Sequence, residues 1–109
     1  MTTIYIKKHD TFRQIADKIK TIELRRKSKF ISQLLQNQTI KFVHNAESVE
    51  CTVKFIMHGT FNEIIKKINI RYLNKNIKSE KDAIKLYSLY YRDFGAKTDF
   101  IAIFFHKKT

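Results

Sequence analysis

The chain has 109 residues, 43% of them hydrophobic, with one cysteine, two glycines and no proline. That suffices for one domain with a modest core, and it excludes an intrachain disulfide and a Pro/Gly-rich linker between two domains. Lys+Arg 22 against Asp+Glu 10 gives a net charge of +12, half of it within residues 1–30, which favours a polyanion, nucleic acid before an anionic membrane surface.

The elements follow from periodicity. Thr2 to Lys8 alternates Ile4 and Ile6 against Tyr5 and Lys7, a first strand. Thr11 with Gln14 three residues later fits a capping box, and Phe12, Ile15, Ala16 and Ile19 continue at helical spacing to about Lys18. Lys20–Arg25 reads as a second strand, with Ile22 and Leu24 on one face and Thr21, Glu23 and Arg25 on the other. Ser28 caps a second helix with Phe30, Ile31, Leu34 and Leu35 on its apolar face.

A strand at Thr39–His44 turns through Asn45-Ala46-Glu47 into a longer one aligning Val49, Cys51, Val53 and Phe55. Thr60 and Glu63 form another capping box for a helix with Phe61, Ile64, Ile65 and Ile68. Residues 69–78 are polar and basic, an exposed irregular segment. Ser79 and Asp82 open a helix bearing Ala83, Ile84, Tyr87 and Tyr91, which Asp93-Phe94-Gly95 ends. Phe100 to Phe105 is apolar on both faces, as a central strand covered by helices is.

No run approaches the roughly 18 apolar residues of a membrane span, and the N-terminus lacks a signal-peptide core. The lone Cys51 points to an intracellular, reducing location, cytoplasmic or, in a eukaryote or virus, nuclear. No Cys/His cluster has metal spacing; neither a metal nor a cofactor is expected. His44, His58 and His106 read as non-ligands, and Cys51 as a buried inert thiol.

The element order and five local matches resemble the ASCH domain, a small barrel of the PUA-like group associated with RNA. The matches are Phe12-x-x-Ile15 before Lys20-Thr21-Ile22-Glu23-x-Arg25, Thr39-Ile40-Lys41-Phe42, and Val49–Phe55 followed by Thr60-Phe61-x-Glu63. Ser79-x-x-x-Ala83-x-x-x-Tyr87 with Tyr91, and Phe100-Ile101-Ala102-Ile103, complete them. Lys18 stands where the family usually has glycine, and Asn37-Gln38 where it has Gly-Asp. The resemblance implies an α/β (α+β) fold, a small PUA-like β-barrel of about five to six strands flanked by helices. A single ASCH-like domain would span residues 1–109, with a cleft beside the K-x-x-E-x-R strand.

In that cleft Arg25 would hold a phosphate or base edge bidentately, and Glu23 would accept from an exocyclic amine. Lys20 would neutralise a phosphate. The plain alternative is a solvated strand face with Glu23 and Arg25 as a weak ion pair. Arg26, Lys27 and Lys29 continue a basic run suited to a phosphate backbone, with the positive end of the second helix assisting. Lys66, Lys67, Arg71, Lys75 and Lys78 would form the opposite bank, with Tyr72 a stacking platform and Tyr87 and Tyr91 core residues.

The first reading is an RNA-binding module whose partner is RNA or single-stranded nucleic acid, with no membrane partner. The alternative is a hydrolase acting on RNA or a modified nucleoside, a ribonuclease or an N4-acetylcytidine amidohydrolase-like enzyme. Lys20, Glu23 and, more weakly, Thr21 would then be catalytic; the amidohydrolase branch of the family has a nucleophilic threonine where this chain has Glu23. A protein-interaction module is the third class.

Overall fold

The computed structural model of the chain describes residues 1–108. Its five strands are β1 (Thr2–Tyr5), β2 (Ile22–Arg26), β3 (Thr39–His44), β4 (Glu47–Thr60) and β5 (Asp99–Lys107). They form one sheet in the order β1-β3-β4-β5-β2, with β1 parallel to β3 and the other neighbours antiparallel. Four helices, α1 (His9–Ala16), α2 (Lys29–Ser32), α3 (Phe61–Lys67) and α4 (Glu80–Tyr90), accompany them, with a 3-10 turn at Ile70–Tyr72. The sheet curls into a half-barrel. β1 and β2 end the strand order without pairing to each other, which leaves a seam between them.

Two cores follow from strand alternation. Inside the curl, Ile40 and Phe42 of β3, Val53 of β4, and Ile101 and Ile103 of β5 pack on Phe12 and Ile15 of α1. On the outer face, Ile22 and Leu24 of β2 join Phe100 and Ala102 of β5 against Phe61 and Ile64 of α3 and Ala83 and Tyr87 of α4. β5 is buried on both faces, as its continuous apolar run predicts. The β3–β4 hairpin turns through Asn45-Ala46, with Asn45 in the left-handed region at φ 53°. Among the described residues no helix is long and apolar enough to cross a membrane.

Several expectations need correction. Phe55 is 51% exposed rather than aligned with Val53. The β4–β5 register shifts between Val53 and Phe55, so an extra residue there moves Ile56 to the inner core and turns Phe55 outward. The Thr11–Gln14 capping box does not form: α1 begins at His9, its N-cap Lys8 makes no side-chain bond, and Gln14 is buried instead. Gln14 Nε2 donates to Asp10 and Asn74, and its Oε1 accepts the Lys75 N–H.

The caps at Ser28, Thr60 and Ser79 do form, Thr60 and Glu63 as a reciprocal box. α1 stops at Ala16 because Lys18 takes φ 63°, at the position where the resembled family has glycine. α2 has only four residues, too short to carry a useful dipole, and Phe30 and Leu35 are exposed while Ile31 and Leu34 are buried. Segment 69–78 is tied down by buried Leu73 and Ile77 rather than wholly exposed.

Candidate functional site

β2 is an edge strand by order, yet both its faces are covered near its start. Ile22 and Leu24 point to the outer core, so alternation turns Glu23 and Arg25 to the other side, towards the mouth of the half-barrel. Lys20 and Thr21 precede the strand, which begins at Ile22 rather than at Lys20. Lys20 is 2% exposed and Glu23 5%, so this is no solvated strand face.

The three charges form a closed constellation. Lys20 Nζ donates to the carbonyls of Ile22 (2.6 Å) and Leu73 (2.7 Å) and lies 3.1 Å from Glu23 Oε1. Its three N–H groups are thereby all used. Arg25 Nε donates to Glu23 Oε2 at 2.5 Å, and its Nη2 reaches across the seam to the Tyr5 carbonyl at 3.1 Å.

Burial alone would push the Glu23 carboxyl up, but Lys20 and Arg25 outweigh it and hold it below its ordinary value. Burial lowers the Lys20 ammonium against the opposing pull of Glu23. Burial would also lower Arg25, but Glu23 beside it prevails and raises it.

The triad floors a cleft of about 400 Å³. Tyr5, Lys7 and Lys8 from the end of β1 and the chain after it form one wall; Leu86, Leu89 and Tyr90 of α4 form the other. Leu73 and Asn74 close one end. Tyr87, buried in the outer core, also lines the cleft. Burial, then the nearby Glu23 charge, pushes its pKa well above the ordinary phenol value, so it stays neutral. Lys8 sits 5.3 Å from the centre of the Tyr90 ring.

The structure brings Lys20, Glu23 and Arg25 together and leaves other expected site residues apart. Thr21 does not line the cleft; its N–H donates to the Tyr72 carbonyl and its own carbonyl accepts from Phe105. The opposite bank is not Lys66, Lys67, Arg71, Lys75 and Lys78. Lys66 and Lys67 are exposed in the last turn of α3, and Arg71, Tyr72, Lys75 and Lys78 are exposed around the 3-10 turn, none lining the cleft. That side is taken by α4, which packs on the outer core through Ala83 and Tyr87 and so carries its last turn to the mouth.

Arg26 and Lys27 line the neighbouring seam with Arg25, and Lys29 is exposed at the start of α2. Tyr87 is core, as its spacing predicts. Sequence reasoning missed Lys7, Lys8, Asn74 and Leu89 as cleft residues. Only the exposed apolar Leu89 beside Tyr90, unneeded by the helical stripe, hinted at them. Among the described residues no group of His, Cys, Asp and Glu could hold a metal ion.

Solved structures share this fold. The crystal structure of hypothetical protein PH0355 matches with a TM-score of 0.81 at 20% identity, over 99% of this chain and 100% of that one. The solution NMR structure of protein PF0455 from Pyrococcus furiosus matches at 0.73 and 20%, over 97% and 96%. Protein EF3133 from Enterococcus faecalis V583, of the family DUF984, matches at 0.62 and 11%, over 98% and 80%. Identities this low show the fold alone. No protein-family model matches the chain, and no curated protein matches it in sequence.

Proposed function

We propose that the protein is an intracellular, ASCH-like RNA-binding module of the PUA-like group, which takes one nucleotide of a single strand into the Lys20–Glu23–Arg25 cleft. The observation that carries this reading is the cleft's charge. Two cations and one carboxylate form its floor, Lys7 and Lys8 its rim, and among the described residues no other carboxylate lines it. An enclosed site with excess positive charge draws phosphate and the acceptor edge of a base. Tyr5 and Tyr90 add ring faces at the mouth.

In this reading Lys20 and Glu23 are positioning residues: Glu23 holds Arg25, and Arg25 touches the nucleotide. A hydrolase would need Glu23 as base or Lys20 as activator. Both Glu23 oxygens already accept from cations and all three Lys20 N–H groups are used, which favours recognition over catalysis.

The test is a titration of the full chain with labelled single-stranded RNA across salt concentrations. Affinity should fall steeply with salt. Arg25→Gln should weaken binding by roughly tenfold, as loss of a charged hydrogen-bonding contact does, with the circular dichroism spectrum unchanged. A flat salt dependence, or an equal loss from exposed Lys108→Ala, refutes the reading.

A further inference from the structure

The cleft does not end at Arg25. Tyr5, Lys7, Arg25 and Tyr91 line it and also line a second groove of about 500 Å³, which follows the open seam between β1 and β2. Beyond those shared residues the groove is furnished by Arg26, Lys27 and Phe30. Among the described residues no carboxylate lines it. Phe30 is 53% exposed and Tyr5 70%, positions that the two cores do not explain. Arg26 lies 5.5 Å from the centre of the Tyr91 ring.

A seam between two strand edges ordinarily invites an added peptide strand through main-chain hydrogen bonds. Here each edge is already partly engaged from within the chain. The Tyr5 carbonyl accepts from Arg25 Nη2, and the Arg26 N–H donates to the Tyr91 hydroxyl at 3.3 Å. What the groove still offers is cationic side chains alternating with ring faces, which suits a sugar–phosphate backbone and its unstacked bases.

We propose that the β1–β2 seam is the track along which a single-stranded nucleic acid continues out of the cleft, its phosphates on Arg26 and Lys27 and a base on Phe30. The inference rests on the reading of the cleft as a nucleotide site. Arg25 is the junction, facing the cleft on one side and the seam on the other. The protein is thus a reader of a short run of nucleotides, with the cleft holding one and the seam its neighbours.

The experiment measures affinity of the full chain for mixed-sequence RNA pools from one to about six nucleotides, with the wild type, Phe30→Ala and Lys27→Ala. Affinity should climb by at least tenfold between one nucleotide and three or four, then level off. Phe30→Ala should lose roughly tenfold on tetranucleotides, as loss of one stacked base does, and leave mononucleotide binding unchanged. Lys27→Ala should reduce the salt slope for tetranucleotides by about one phosphate's share.

If mononucleotides bind but affinity ignores length and Phe30, the track is wrong while the cleft reading stands. If neither mononucleotides nor oligomers bind, both fall. If an acidic peptide binds in a Phe30-dependent manner and RNA does not, the seam is a protein-docking surface and the proposal is overturned.

Discussion

Removing Glu23 and Lys20 together should destabilise the chain by less than the sum of the two single removals. At the 3.1 Å separation of Lys20 and Glu23, Coulomb's law with an effective dielectric of about 20 gives roughly 5 kcal/mol of attraction. Both groups are buried, so little of this is screened by water, though each was desolvated to obtain it. Glu23→Leu leaves the Lys20 ammonium enclosed with two carbonyls and no counter-charge, a situation that costs about 3–5 kcal/mol.

Lys20→Met alone leaves Glu23 paired with Arg25 but strips the Ile22 and Leu73 carbonyls of their donor. In the double variant the stranded charge is gone, and Arg25, part exposed, can turn to water. The double should therefore be less destabilised than the sum of the singles by about 1–3 kcal/mol. Urea unfolding read by circular dichroism is the assay, since the chain has no tryptophan to report by fluorescence. Glu23→Leu should also lower the midpoint of thermal unfolding by on the order of 10–20 °C. Additivity of the two singles within about 0.5 kcal/mol would refute the buried triad as drawn.

Acid should act through the same carboxylate. Its folded pKa is lowered, so the unfolded state binds the proton first; the contribution is complete above the ordinary value of 4.5 and is lost as pH falls through the depressed folded value. Glu23→Gln should remove that part of the acid slope in urea unfolding followed from neutral pH downwards, and an unchanged slope contradicts the assignment. Thr60→Ala should cost about 1 kcal/mol through loss of a helix cap, and Thr11→Ala close to nothing, since Thr11 caps no helix; equal urea midpoints would contradict this. Lys18→Gly should gain up to about 1 kcal/mol by relieving the left-handed backbone at φ 63°, measured by the same unfolding. Cys51, whose thiol burial pushes up to about 11, should react with a thiol reagent at mildly alkaline pH only as fast as the chain opens; rapid labelling of the folded protein would show it accessible.

Local pattern was a good guide wherever local forces decide. β3 has the bounds that alternation predicts, β5 shows the double-sided burial of its apolar run, and Thr60 and Glu63 cap α3 as their spacing demands. The juxtaposition of Lys20, Glu23 and Arg25 was legible because a period of two puts Glu23 and Arg25 on one face. Their burial was not, because it depends on Leu73 and α4, which pack there from far along the chain. The outward turn of Phe55 was invisible for the same reason: a bulge is settled by the partner strand. The far wall of the cleft went to α4 rather than to the lysines because position in space follows the apolar contacts of Ala83 and Tyr87, and charge density carries no such instruction.

The pairing of β2 has a consequence for how the site comes into being. Among the described residues its only ladder partner is β5, with Ile22 opposite Phe104 and Arg26 opposite Phe100. A chain emerging from the ribosome therefore holds Lys20, Glu23 and Arg25 as three hydrated, independent charges until β5 has been made. Such distant pairings also form slowly. Every residue of the cleft has been made once Tyr91 is out, yet a fragment stopped there would own all the parts and none of the arrangement, for lack of the strand that β2 lies against.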